Sequence, residues 1–150
     1  LVNPSNPQNQ LVGVFNLEIA RIYNYLLQET QQNYGIIHSI DGYDEISLTS
    51  SFRLTTHAGE KVYQPADLGC SQVQQSDLYG GANVEESAKM LYKILQREGT
   101  VAQTQAVLAN AGAALWVAEK SASFQDGYLM AKESLESGRA FQAFKKFIMD

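Results

Sequence analysis

Two adjacent carboxylates, Asp44 and Glu45, stand in the stretch His38-Ser39-Ile40-Asp41-Gly42-Tyr43-Asp44-Glu45-Ile46-Ser47. Side-by-side carboxylates are hard oxygen donors. Mg²⁺ is usually held by one or two such groups plus water and substrate phosphate. The same pair would be equally at home as solvated side chains of a surface turn. An apolar run over residues 34–38 enters the stretch, and Asp41-Gly42 suits a tight turn. The pair is therefore placed in a loop at a strand end. There α/β proteins put their chemistry, because the strand is rigid and the loop is free to vary. Asp41 is read as a turn-former rather than a ligand.

The other chemistry-bearing residues are weaker candidates. His38 ends a strand and is read as a satisfied polar residue at the sheet rim. His57 is read as an exposed turn residue, and neither histidine has metal-ligand spacing to another His or Cys. Two histidines so placed give no Ser-His-Asp set. Cys70 is read as a structural thiol, and being single it forms no internal disulfide. Gly80-Gly81 precedes a helix and could in principle receive phosphate, but the acidic first turn that follows, Glu85-Glu86, favours a plain helix start.

The elements that would position the pair follow from periodicity. Residues 1–10 are Pro- and Asn-rich and extended. Residues 10–15 are apolar and β-branched, with Gly13 allowing close backbone approach. Asn16 is an N-cap for a helix over 17–29, with Ile19, Ile22, Tyr23, Leu26 and Leu27 on one face. A strand over 34–38 completes a βαβ unit with parallel strands. Residues 52–56 and 61–64 alternate and form a β-hairpin with one solvated face. Residues 65–81 are irregular.

The remainder is helical. Asn83 caps a helix to about residue 97 with a buried stripe of Ala88, Leu91, Tyr92 and Leu95. Thr100 and Gln103 form a capping box for a helix to about residue 119, apolar nearly all round and so buried, with Trp116 in the core. Ser123 and Asp126 open a fourth helix ending before Gly138. The last runs over about 139–149 with Phe141, Phe144 and Ile148 on one side. The fold class is α/β: a partial sheet with a βαβ unit and a β-hairpin, covered by C-terminal helices.

With 150 residues, 45% hydrophobic and 18% charged, the chain supports one domain with its own core. A net charge of −5 argues against nucleic acid as a general partner, since phosphate binding needs a basic surface. No run of 18 apolar residues suggests a membrane span, and the polar N-terminus does not read as a signal peptide. The chain opens on Leu1 without a methionine, so a piece of a longer protein is expected.

Asp41-Gly42-Tyr43-Asp44-Glu45-Ile46-Ser47 resembles the D-G-x-D-E-x-S signature of the anthranilate phosphoribosyltransferases. Leu1-Val2-Asn3-Pro4-Ser5-Asn6-Pro7 running into Gln10-Leu11-Val12-Gly13-Val14, and Leu108-Ala109-Asn110-Ala111-Gly112-Ala113-Ala114-Leu115, resemble the same family in the same order. The resemblance covers essentially the whole chain and matches the C-terminal part of a family about twice as long. It implies that residues 1–150 are the C-terminal part of a single α/β domain of the phosphoribosyltransferase and nucleoside-phosphorylase type.

The implied activity is transfer of phosphoribosyl from phosphoribosyl pyrophosphate to anthranilate with release of pyrophosphate, a step of tryptophan biosynthesis in the cytoplasm, by a homodimer. Asp44 and Glu45 would hold a Mg²⁺ on the donor, and Asn3 and Pro4 would border the anthranilate pocket. The family often has a basic residue in that last stretch, whereas this chain has Asn6 and Gln8. No protein nucleophile is implied. Alternatives are a nucleoside phosphorylase or another phosphoribosyltransferase of related fold, a non-catalytic relative that binds nucleic acid, or a structural module that supports a partner chain. The family's phosphate-cradling G-T-G-G-D loop and its K-H-G-N stretch are not in this sequence. The purified 150-residue chain is therefore expected to show no turnover; loss of anthranilate fluorescence above the no-enzyme rate would overturn this.

Overall fold

The structure is a computed structural model that describes residues 5–149. Four strands, β1 (Asn9–Gly13), β2 (Asn33–Ser39), β3 (Phe52–Thr56) and β4 (Gly59–Tyr63), form one sheet in the order β1-β2-β3-β4. Helix α1 (Leu17–Leu27) links β1 to β2. Two short 3-10 turns, Pro65–Leu68 and Gln75–Leu78, lie in the stretch expected to be irregular. Four helices follow: α2 (Val84–Leu95), α3 (Val101–Val117), α4 (Phe124–Glu136) and α5 (Arg139–Met149).

The βαβ unit and the hairpin are both present. β1 and β2 pair in parallel, with Val12 opposite Ile36 and Gly13 opposite Ile37. β2 pairs antiparallel with β3, and β3 with β4. The caps read from the sequence also hold. The side chains of Asn16, Asn83 and Ser123 each accept a first-turn backbone N–H, and Thr100 and Gln103 form the reciprocal box.

Side chains of β2 alternate between two layers, as the pleat requires. Tyr34 and Ile36 pack with Val14 and Ala20 under α1. Ile37 faces the larger core with Ile46, Leu48, Phe52, Leu54, Leu108, Ala113 and Tyr128. Within that core Phe52 is fully buried, stacked on Tyr63 at 5.6 Å and edge-on to Phe124 at 6.0 Å. α3 and α4 cross with their backbones nearly in contact: a Cβ on Gly112 would meet the Tyr128 amide at 2.7 Å. Cys70 is buried, its thiol donates to Tyr128 Oη at 3.3 Å, and burial pushes its pKa up. That is the inert thiol expected.

One packing expectation needs correction, that of α2, and the apolar faces of α1 and α5 are only partly covered. On α1, Ile22 and Leu26 are half exposed, and the buried stripe is Ala20 with Ile19, Tyr23 and Leu27 around it. With β1 at the sheet edge, only that stripe finds a sheet beneath it. On α2, Ala88, Leu91 and Tyr92 are exposed, and the helix buries Ile94 instead. Tyr92 meets α5, edge-on to Phe141 at 5.1 Å. On α5, Phe141 and Phe144 are half-buried but Ile148 is exposed. Periodicity finds an amphipathic helix but not which neighbour covers its apolar side. No helix among the described residues is long and apolar enough to cross a membrane.

Removing the Phe52 ring empties the centre of the larger core. We expect Phe52→Ala to cost about 3–5 kcal/mol, the range for buried Phe→Ala, read as a lower urea midpoint at unchanged slope. Gly13 is the second sensitive point, because a Cβ there would lie 1.5 Å from the Asp44 carbonyl oxygen. Gly13→Ala is expected to cost about 1–3 kcal/mol as an overpacking change. It should also shift the amide resonances of residues 44–46; unchanged resonances would show that the contact is not a constraint.

Candidate functional site

Asp44 and Glu45 lie in residues 40–51, the connection from β2 to β3. Because β1 and β2 are parallel, this loop emerges at the carboxyl end of both strands. Ligands of open α/β sheets gather at that edge. The position is the one the sequence indicated.

The loop is built from satisfied polar groups. Ser39 N donates to Tyr43 O at 3.0 Å and Gly42 N to Ser39 O at 2.9 Å, forming the Asp-Gly turn with Gly42 at φ +95°. Ile40 N donates to Ser51 O at 3.0 Å and closes the loop's base. The Asp41 carboxylate accepts from Thr49 Oγ1 at 2.5 Å and from Ser50 Oγ at 2.8 Å. Both of its oxygens are engaged, as a turn-former's are. Leu48 takes a left-handed φ of +63°, which costs a non-glycine residue about 1–2 kcal/mol. Its fully buried side chain and the bond from Val73 N to its carbonyl hold it there.

Each residue around the acidic pair is fixed through its backbone. The Asp44 carbonyl rests against Gly13. The Glu45 carbonyl accepts from Ser39 Oγ at 2.7 Å. Ile46 N donates to Asn110 Oδ1 at 3.0 Å, and Asn110 Nδ2 donates to Ile46 O at 2.9 Å.

The two carboxylates themselves are exposed, and among the described residues neither accepts a hydrogen bond or pairs with a cation. Two free, adjacent anions on a fixed backbone are hard donors that suit Mg²⁺. The described residues bring no three His, Cys, Asp or Glu side chains together as a metal-holding group. This pair could therefore supply only part of a coordination shell, with water and a ligand's oxygens supplying the rest. Beside it runs a groove of about 480 Å³ between the loop, α2 and α3, lined by Tyr43, Glu45, Tyr79, Met90, Ile94 and Asn110 among others.

The remaining sequence candidates fall as follows. Asn3 and Pro4 lie outside the described residues. His38 is buried and its Nδ1–H donates to Val14 O at 3.0 Å, a satisfied rim residue as read. His57 is exposed but not idle: its Nε2 is 2.8 Å from Gln32 O and its ring lies edge-on to Tyr34 at 4.4 Å. At Gly80-Gly81 the following helix start is served by its own side chains, with Ala82 N donating to the Glu86 carboxylate at 2.8 Å. It is a helix start, not an anion cradle.

Ser39 and Asn110 were missed as partners of the acidic loop. Asn110 did carry a signal. A polar amide of low helix propensity amid Leu108, Ala109, Ala111 and Ala113 needs a partner on one side of the helix.

Comparison with known proteins agrees with this picture. The model of the glycosyl transferase family, α/β domain, matches residues 1–141. An anthranilate phosphoribosyltransferase of Christiangramia forsetii is 49% identical over 146 residues, which is 97% of this chain and 44% of that protein. The enzyme of the same name from Bacteroides thetaiotaomicron is 45% identical over 148 residues, 99% of this chain and 45% of its own length. The chain thus spans under half the length of these curated relatives. Among solved structures, anthranilate phosphoribosyltransferase from Thermus thermophilus superposes with a TM-score of 0.84 at 27% identity, covering 91% of this chain and 41% of that one. The Saccharomyces cerevisiae enzyme, in complex with PRPP and Mg, gives 0.85 at 19% identity over 96% of this chain and 41% of its own. That last likeness is one of fold alone. With the family model matched over residues 1–141, the chain belongs to the glycosyl transferase family, in its α/β domain.

Proposed function

We propose that the full-length protein carrying this chain transfers a phosphoribosyl group from phosphoribosyl pyrophosphate to the amine of anthranilate, and that Asp44 and Glu45 hold its Mg²⁺. The observation that carries the metal assignment is the free acidic pair on a backbone-fixed loop at the carboxyl end of two parallel strands. The relatives at 40–49% identity, all anthranilate phosphoribosyltransferases by name, carry the choice of reaction. The yeast complex with PRPP and Mg supports the donor and the ion.

In this reading the chain's own part is electrostatic and positional. Asp44 and Glu45 offer hard oxygens at the sheet edge, and Asp41, already saturated by Thr49 and Ser50, shapes the turn without competing for the ion. Bound Mg²⁺ would neutralise charge on the departing pyrophosphate. No nucleophilic side chain is required, because holding donor and acceptor in line supplies much of the acceleration. The rest of the donor site and the anthranilate pocket come from residues outside those described.

The test uses the full-length protein with Asp44→Asn and Glu45→Gln together. Loss of about 10²–10³-fold in kcat is expected, the scale for removing a group that stabilises developing charge. The Mg²⁺ concentration for half-maximal rate should rise as well. Anthranilate consumption by the double variant at the wild-type rate sinks the metal assignment. Phosphorolysis of nucleosides without anthranilate consumption by the wild type sinks the choice of reaction.

A further inference from the structure

We infer that Asn110 is a positioning residue for the acidic pair, its side-chain amide fixing the backbone from which Asp44 and Glu45 present their carboxylates to a divalent cation. The inference rests on the metal reading above and adds to it a residue on a distant helix, 64 positions along the chain from Ile46.

The geometry is that of a strand partner made from one side chain. Asn110 Oδ1 accepts from Ile46 N at 3.0 Å while Nδ2 donates to Ile46 O at 2.9 Å and to Ala106 O at 2.9 Å. Both amide hydrogens and the oxygen are used. Turning the amide over would set Oδ1 against two carbonyl oxygens, so the partners fix its orientation. Asn110 thus grips the residue immediately after Glu45 at two points. Gly13 and Ser39 already hold the carbonyls of Asp44 and Glu45. The carbonyls of residues 45 and 46 are then each hydrogen-bonded by a different element, β2 and α3, and that of residue 44 packs against β1 at Gly13.

Only asparagine meets this need at this reach. Aspartate has no donor for the two carbonyls, serine has one hydroxyl for three partners, and leucine leaves the backbone groups of Ile46 without partners. Ile46 has a fully buried side chain, so its backbone would have to shift to find water, and Glu45 would shift with it.

The aspartate variant separates positioning from charge. Asn110→Asp keeps the side-chain size and adds a negative charge on the groove that Glu45 also lines. By Coulomb attraction alone that charge should tighten cation binding. Loss of the grip should weaken it. The two accounts predict opposite signs.

The experiment titrates Mn²⁺, which shares the oxygen-donor preference of Mg²⁺, into the full-length protein with phosphoribosyl pyrophosphate present and follows free aqueous Mn²⁺ by EPR against a blank of phosphoribosyl pyrophosphate alone. Asn110→Leu and Asn110→Asp are expected to bind about tenfold more weakly than wild type, the low end of the range for partners that orient metal ligands. Asn110→Gln, which keeps both amide functions, should recover part of that loss. Leu135→Ala, a buried position on α4, serves as a control matched for lowered thermal stability and should bind like wild type. Wild-type or tighter binding by Asn110→Asp overturns the inference, and so does equal weakening by Leu135→Ala. If the Asp44→Asn, Glu45→Gln variant binds Mn²⁺ as well as wild type, the metal reading falls and takes this inference with it. If that variant loses binding while the Asn110 variants keep it, only the inference falls.

Discussion

The Asp44 carbonyl lies so close to Gly13 that no side chain fits between them. That contact sets the geometry of the whole carboxyl edge. β1 must end on glycine for the loop after β2 to fold back over its end. The loop must in turn hold a left-handed Leu48 and a saturated Asp41 to make the return to β3. Ile46 and Leu48, both fully buried, hold the far side of the loop, and the contact at Gly13 holds the near side. Here backbone groups of residues 40, 42, 45, 46 and 48 and the Asp41 carboxylate find partners in protein, and the side chains of Asp44 and Glu45 do not.

α3 is the element that makes this affordable in packing terms. Asn110 and Gly112 are two residues apart, and two residues turn an α-helix by about 200°. One side of the helix therefore delivers an amide to Ile46, while nearly the opposite side lets the α4 backbone approach at Gly112 and Gly127. This explains why the helix is apolar around most of its circumference yet carries an asparagine in mid-span. The same helix ties the acidic loop to the rigid α3–α4 pair and keeps Ile46 and Leu48 in the larger core.

Much of this was legible in the sequence, for identifiable reasons. Gly13 in a β-branched run, Asp41-Gly42 before an acidic pair, and Ser, Thr or Asn ahead of each of four helices are local signals. Local physics decides turns and caps. The parallel pairing of β1 and β2 followed from a short helix between two apolar runs. What could not be read were tertiary choices. Leu91 and Tyr92 sit on the apolar side of α2, but the partner that covers an apolar side is not encoded in its period. The bond from Asn110 to Ile46 joins residues 64 apart, and nothing local to either one names the other. Asp44 and Glu45 were found as a pair because adjacency in sequence is adjacency in space, and Asn110 was not found for the opposite reason.

Charge supplies the last link. The chain carries a net −5, and its candidate site adds two carboxylates that no lysine or arginine among the described residues neutralises. A pyrophosphate-bearing donor is itself a polyanion and would be repelled from such an edge. A protein that binds phosphate directly places basic side chains or free helix amides there, yet the first turn of α2 near this edge is acidic and its Glu86 amide is already taken by the Asn83 side chain. On the proposed reading a divalent cation resolves the conflict, since it is attracted to the pair and to the phosphates alike. On that reading the pair is the half of a cation site that a protein can hold ready when the other half arrives with the substrate, and the backbone contacts of residues 44–46 keep that half in place in the meantime.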